Sequence, residues 1–125
     1  MSTIFRISTA LCLVGAVFFL SACDIGTACT LEFRTISIEL IGDTPDDFYT
    51  LRSSTGDTIR LSNETFEDYY PVLDDSWQEE LRGSEEEFVF EAVLDGTVVV
   101  SETFVVEADV CHINKVSGPE SATID

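Results

Sequence analysis

Two β-branched and aromatic runs meet at Asp95-Gly96, and this junction constrains the fold more than any other stretch. Phe88, Phe90, Ala92 and Leu94 alternate with Val89, Glu91 and Val93, and residues 97–106 (TVVVSETFVV) continue after the dipeptide. A two-residue connection of this kind needs φ > 0 at both central positions, which Asp and Gly tolerate. The stretch is therefore predicted as a β-hairpin with a type I′ turn. Its period of two excludes an amphipathic helix.

The same grammar runs through the rest of the chain. Residues 31–41 (LEFRTISIELI) alternate with a change of phase: Ile36, Ile38 and Leu40 share one face and Phe33 lies on the other. A long first strand carrying a bulge is expected. Residues 42–47 (GDTPDD) form a turn by composition. Residues 48–52 and 58–61 read as two strands joined by the loop 53–57, and 62–68 as a loop or one helical turn. Residues 69–73 read as an edge strand, because Pro71 has no N–H to give a ladder. Residues 77–81 form a short strand or a turn of helix, 83–87 a charged loop, and 110–116 a last strand before a polar tail, 118–125. Seven or eight short strands without a helical apolar period imply an all-β, antiparallel two-sheet sandwich over 29–117. Tyr69, Tyr70 and Trp77 are expected mostly in its core, rather than as a stacking platform for a sugar or peptide.

The N-terminal 22 residues obey a different logic. Arg6 lies in a short polar start, and residues 10–20 are an apolar run of 11, too short for a bilayer core of about 30 Å. This is the pattern of a secretory signal. Leu20-Ser21-Ala22-Cys23 resembles the lipobox of bacterial lipoproteins. The resemblance implies removal of 1–22, a diacylglycerol thioether on Cys23, fatty acylation (palmitate-like) of the new amine, and a tether over 23–28. Two or three acyl chains suffice for stable anchoring. The implied address is the cell envelope, on a bacterial membrane and most simply the outer one, with the periplasmic or surface face left open.

Processing leaves 103 residues, one small domain with a modest core. All 24 acidic residues but only five of the six basic ones lie beyond the cut, so the mature charge is −19 with His112 neutral. Such a charge excludes nucleic acid and electrostatic docking on anionic headgroups. Cys12 leaves with the leader and Cys23 is lipidated, so Cys29 and Cys111 remain as a pair in a compartment that permits disulfides. Two cysteines and one histidine lack the paired close spacing of a zinc site, and no cofactor motif is present.

A second resemblance lies near the end. Asp109-Val110-Cys111-His112-Ile113 is similar to the D-x-C-H-V/I ending of small β-sandwich lipoproteins of Bacteroidota, whose first domain cysteine follows the lipidated one as Cys29 does here. Such domains are grouped with transthyretin-like or carboxypeptidase-regulatory-like domains. The resemblance implies a fold and no activity.

Catalytic chemistry would have to use His112, the one histidine. A dyad with Cys111 is disfavoured, because neighbours on a strand point to opposite faces and a disulfide consumes the thiol. A local hydrogen bond to Asp109 is the expected role. No G-x-S-x-G elbow is present, and no carboxylate pair stands out as a glycosidase site. The clusters Asp43/Asp46/Asp47, Asp74/Asp75 and Glu85/Glu86/Glu87 are candidate calcium ligands, the first being favoured because one turn gathers three carboxylates. Asp57-Thr58-Ile59 resembles the O-glycosylation tripeptide of Bacteroidota, and Asn63-Glu64-Thr65 is a formal sequon. The expectation is a non-catalytic binding or accessory module with an envelope protein or glycan as partner. The alternatives are a calcium-dependent adhesion or carbohydrate-binding module, and an unrecognised hydrolase.

Overall fold

A computed structural model describes residues 29–61 and 65–125; Cys23 and the leader lie outside them. The strands are β1 (Thr35–Gly42), β2 (Asp47–Arg52), β3 (Thr58–Ile59), β4 (Tyr69–Asp74), β5 (Glu85–Leu94), β6 (Thr97–Ala108), β7 (Ile113–Ser117) and β8 (Ser121–Ile124). A 3-10 turn, Asp75–Trp77, and one helical turn, α1 (Gln78–Leu81), separate β4 from β5. The strands form two sheets, ordered β4-β1-β8 and β3-β2-β5-β6-β7. The chain is thus an all-β sandwich.

The β5–β6 hairpin is its spine. Asp95 and Gly96 have φ of 52° and 76°, as the type I′ turn requires. Phe88, Phe90 and Ala92 from β5 and Val100, Phe104 and Val106 from β6 face inward and are buried. Ile38 and Leu40 of β1 and Val72 and Leu73 of β4 close the core from the other sheet, and Leu81 of α1 and Ile113 of β7 are buried in the same core. Thr50 of β2 is buried, and its hydroxyl donates to the Val72 carbonyl at 2.6 Å, bridging the two sheets. Val72 is the extra residue where the β1–β4 register slips between Ile36 and Ser37. Two further slips leave Val99 of β6 and Val116 of β7 as the extra residues, and both are turned out to solvent.

Several expectations are revised. The bulge expected in the first strand belongs to its partner β4, and β1 begins only at Thr35. Residues 77–81, open between a short strand and a turn of helix, take the helical form: α1 follows the 3-10 turn, which Asp74 caps by accepting the Ser76 N–H at 3.0 Å. Glu85–Glu87, read as loop, pair with Val105–Glu107 at the start of β5; Arg52 neutralises Glu86 there at 2.7 Å. The polar tail is instead strand β8, which runs parallel to β1 and buries Ile124. One large apolar residue in four is too faint a pattern to read, and the pairing makes the smaller sheet mixed rather than antiparallel.

Gly42 marks where β8 docks. Its φ is +104°, and a Cβ there would fall on the Ile124 carbonyl oxygen, far inside van der Waals contact. Gly42→Ala is therefore expected to cost at least about 1–3 kcal/mol by combining a left-handed backbone with overpacking. The check is urea denaturation, with faster hydrogen exchange in β8. An unchanged midpoint would show that β8 contributes nothing to the fold.

Candidate functional site

The densest polar constellation lies where β6 turns into β7, against the 3-10 turn and the segment 29–34. Asp109 builds the turn. Its Oδ1 accepts the N–H groups of Cys111 at 2.8 Å and His112 at 2.9 Å, and its Oδ2 accepts from the Asn114 amide at 3.1 Å. These donors, the His112 amide foremost, hold the Asp109 carboxyl at a pKa of about 2.

Asp75 is the second hub. Its side chain is 8% exposed, and its two oxygens accept the N–H of Arg34 at 2.7 Å, the N–H of Ile113 at 2.9 Å and the His112 ring at 2.7 Å. Burial pushes this carboxyl up, but the two amides and the ring together bring it below its ordinary value. The two ring nitrogens of His112 are both engaged, Nδ1 with Asp75 at 2.7 Å and Nε2 with the Thr30 hydroxyl at 3.0 Å. The expected local bond between His112 and Asp109 is present, made by the backbone N–H. Asp109 takes the backbone amide, and the ring turns to a partner 37 residues earlier.

Cys29 and Cys111 are joined, with Sγ atoms 2.01 Å apart and Cα atoms 5.2 Å apart. The segment 29–34 is therefore strapped down by the disulfide, by Thr30 on His112, and by Arg34, whose amide reaches Asp75 and whose guanidinium reaches Asn114 at 3.2 Å.

Carboxylate, imidazole and hydroxyl stand here in the connectivity that hydrolases use. A tetrahedral oxyanion is stabilised by uncommitted donors beside the nucleophile, commonly backbone N–H groups. The N–H groups of Arg34 and Ile113 are committed to Asp75, and those of Cys111 and His112 to Asp109. The arrangement works as a clasp.

The calcium candidates are engaged separately. Asp46 accepts the Asp95 N–H at 2.8 Å, while Asp47 accepts from Arg60 at 2.7 Å and is held below its usual value chiefly by that bond. Asp43 donates its own N–H to Ile124. Among the described residues no three His, Cys, Asp or Glu side chains are grouped to hold a metal ion. Tyr70 is buried edge-on to Phe48, with ring centres 5.1 Å apart, as expected of a core residue; Tyr69 is exposed. Trp77 is half-buried, edge-on to Phe88, and carries the Arg52 guanidinium 5.3 Å from its ring centre. Beside it Ser76, Glu79 and Glu80 line an open groove of about 430 Å³. Thr58 is exposed on β3 next to buried Ile59, and Asn63 and Glu64 lie outside the described residues.

No protein-family model, curated protein or solved structure matches this chain.

The low Asp109 pKa gives an acid signature. In the unfolded chain the group titrates near 3.8, and in the folded chain near 2. The unfolded state therefore binds the proton first, and the stability Asp109 confers is complete above about pH 4 and is lost as pH falls through about 2. Asp109→Asn keeps an acceptor for the amides but does not titrate. Between about pH 5 and pH 2.5 the urea midpoint is expected to fall more steeply in the wild type than in this variant. Parallel profiles would show that Asp109 is not held as described.

Proposed function

We propose that this protein is a lipid-anchored β-sandwich of the bacterial cell envelope that binds or supports a partner and catalyses nothing. The observation that carries the non-catalytic part is the commitment of four backbone amides around His112 to the Asp75 and Asp109 carboxylates. The anchor rests on Leu20-Ser21-Ala22-Cys23 behind an apolar leader. The disulfide fits an oxidising envelope compartment. The −19 charge of the processed chain points away from nucleic acid and is compatible with a cationic partner.

A test follows the protein by immunoblot during protease shaving of intact and then lysed native cells. Loss only from the envelope fraction, with none in the cytosol, supports this reading. Loss from intact cells puts the domain on the outer surface, and protection until lysis puts it inside the envelope. A cytosolic pool that carries the whole signal would refute it.

The Thr30–His112–Asp75 chain favours one competing reading, a hydrolase acting through the Thr30 hydroxyl. That reading requires ester turnover abolished by Thr30→Ala with the fold intact. Inertness of the purified protein across activated esters removes it.

A further inference from the structure

The strapped segment 29–34 has two unlike sides. Thr30, Glu32 and Arg34 face the clasp or one another: Thr30 meets His112, Arg34 meets Asn114, and Arg34 and Glu32 pair at 3.6 Å. The apolar residues between them are turned out to solvent. Leu31 is fully exposed and Phe33 is 61% exposed. Val110, next to the disulfide that fastens Cys29, is 42% exposed. Three large apolar side chains thus stand in water around one rigid disulfide pole. None of them serves the core.

We propose that Leu31, Phe33 and Val110 form a foot that inserts into the lipid surface carrying the Cys23 anchor, so that the domain rests on the bilayer instead of swinging on its tether. This rests on the anchored reading given above. Five residues separate Cys23 from Cys29, so six Cα–Cα steps give a reach of at most about 20 Å. The disulfide pole is therefore the part of the domain delivered to the interface. At so short a tether the pole's effective concentration at the lipid surface is on the order of millimolar, so contacts too weak to recruit a free protein are sufficient. The contact is apolar in origin. The strongly acidic chain is repelled by anionic headgroups, and neutral lipid is the expected surface. The Asp109 and Asp75 carboxylates do not oppose insertion as free charges would, because both are wrapped by amide donors.

The far end of β6 supplies the control. Val98 is exposed beside the Asp95-Gly96 turn, some ten strand residues or about 35 Å from the Asp109 turn. The experiment uses the processed, acylated protein beginning at Cys23, reconstituted in phosphatidylcholine vesicles doped with a lipid quencher at shallow depth. Leu31→Trp and Val98→Trp are compared with wild type, whose Trp77 sets the background. Emission from Leu31→Trp is expected to shift to the blue and lose its larger part, while that from Val98→Trp stays unchanged. Adding Phe33→Ser and Val110→Ser to Leu31→Trp should abolish the quenching with the melting temperature retained. Equal, background-level signals in protein that floats with the vesicles would overturn the foot and leave the anchor standing. Quenching confined to native membranes and absent from pure lipid would also overturn it, assigning the pole to a protein partner. Failure of the native, unmutated protein to float would strike the anchor itself, and the foot with it.

Discussion

Replacing Cys29 and Cys111 together by Ser is expected to lower the free energy of unfolding by about 4–5 kcal/mol, the largest effect of any change at the pole. The bridge spans 82 positions of sequence. Opening a loop of that length returns to the unfolded chain the entropy that the cross-link removes. A typical domain has only about 5–15 kcal/mol in total, so the double variant should sit near the edge of folding at physiological temperature. A local consequence follows. The bridge presents Thr30 to His112 and Arg34 to Asp75, so its removal should also raise hydrogen exchange at the Arg34 amide, which Asp75 accepts at 2.7 Å. Urea denaturation of the oxidised protein and the double variant measures the first effect. A loss under about 1 kcal/mol would mean that the unfolded chain is already compact or that the bridge strains the native state.

Phe104→Ala is expected to cost about 3–5 kcal/mol. Phe104 is fully buried on β6 opposite Phe88, and its ring lies over Gly118, where any Cβ would strike it. The ring therefore fills the core and shapes the turn that leads β7 into β8. Truncation leaves a cavity that the two rigid sheets cannot collapse, and it frees the turn that delivers Ile124 to the core. Global destabilisation should be accompanied by disproportionate loss of protection in Ser121–Ile124. Equal loss of protection everywhere would show that Phe104 serves the core alone.

Legibility in the sequence followed the strength of each local signal. The β5–β6 hairpin was readable because Asp95-Gly96 sits between two alternating runs long enough to fix its register. The Cys29–Cys111 pair was readable by elimination once Cys12 and Cys23 were assigned elsewhere. Strand β8 was missed because parallel pairing with β1 depends on distant geometry, and Ile124 alone betrays it. The triple Glu run was read as loop because charge outweighed the strand signal. The Arg52–Glu86 ion pair that accommodates it joins residues 34 positions apart. Asp75 was read only as a candidate calcium ligand beside Asp74, for the same reason. Its three donors come from Arg34, His112 and Ile113, and only folding brings them to one carboxylate. Short-range chemistry such as the Asp109 turn was nearly legible: the sequence placed Asp109 with His112, but not which atoms of His112 would meet it.

The most direct test of the anchored-sandwich account is the intact mass of the protein extracted from native membranes. The expected species begins at Cys23, carries a thioether-linked diacylglycerol with or without a further acyl chain, and is two hydrogens lighter for the Cys29–Cys111 bridge. An unacylated chain recovered from the soluble fraction, or one still bearing residues 1–22, would contradict it.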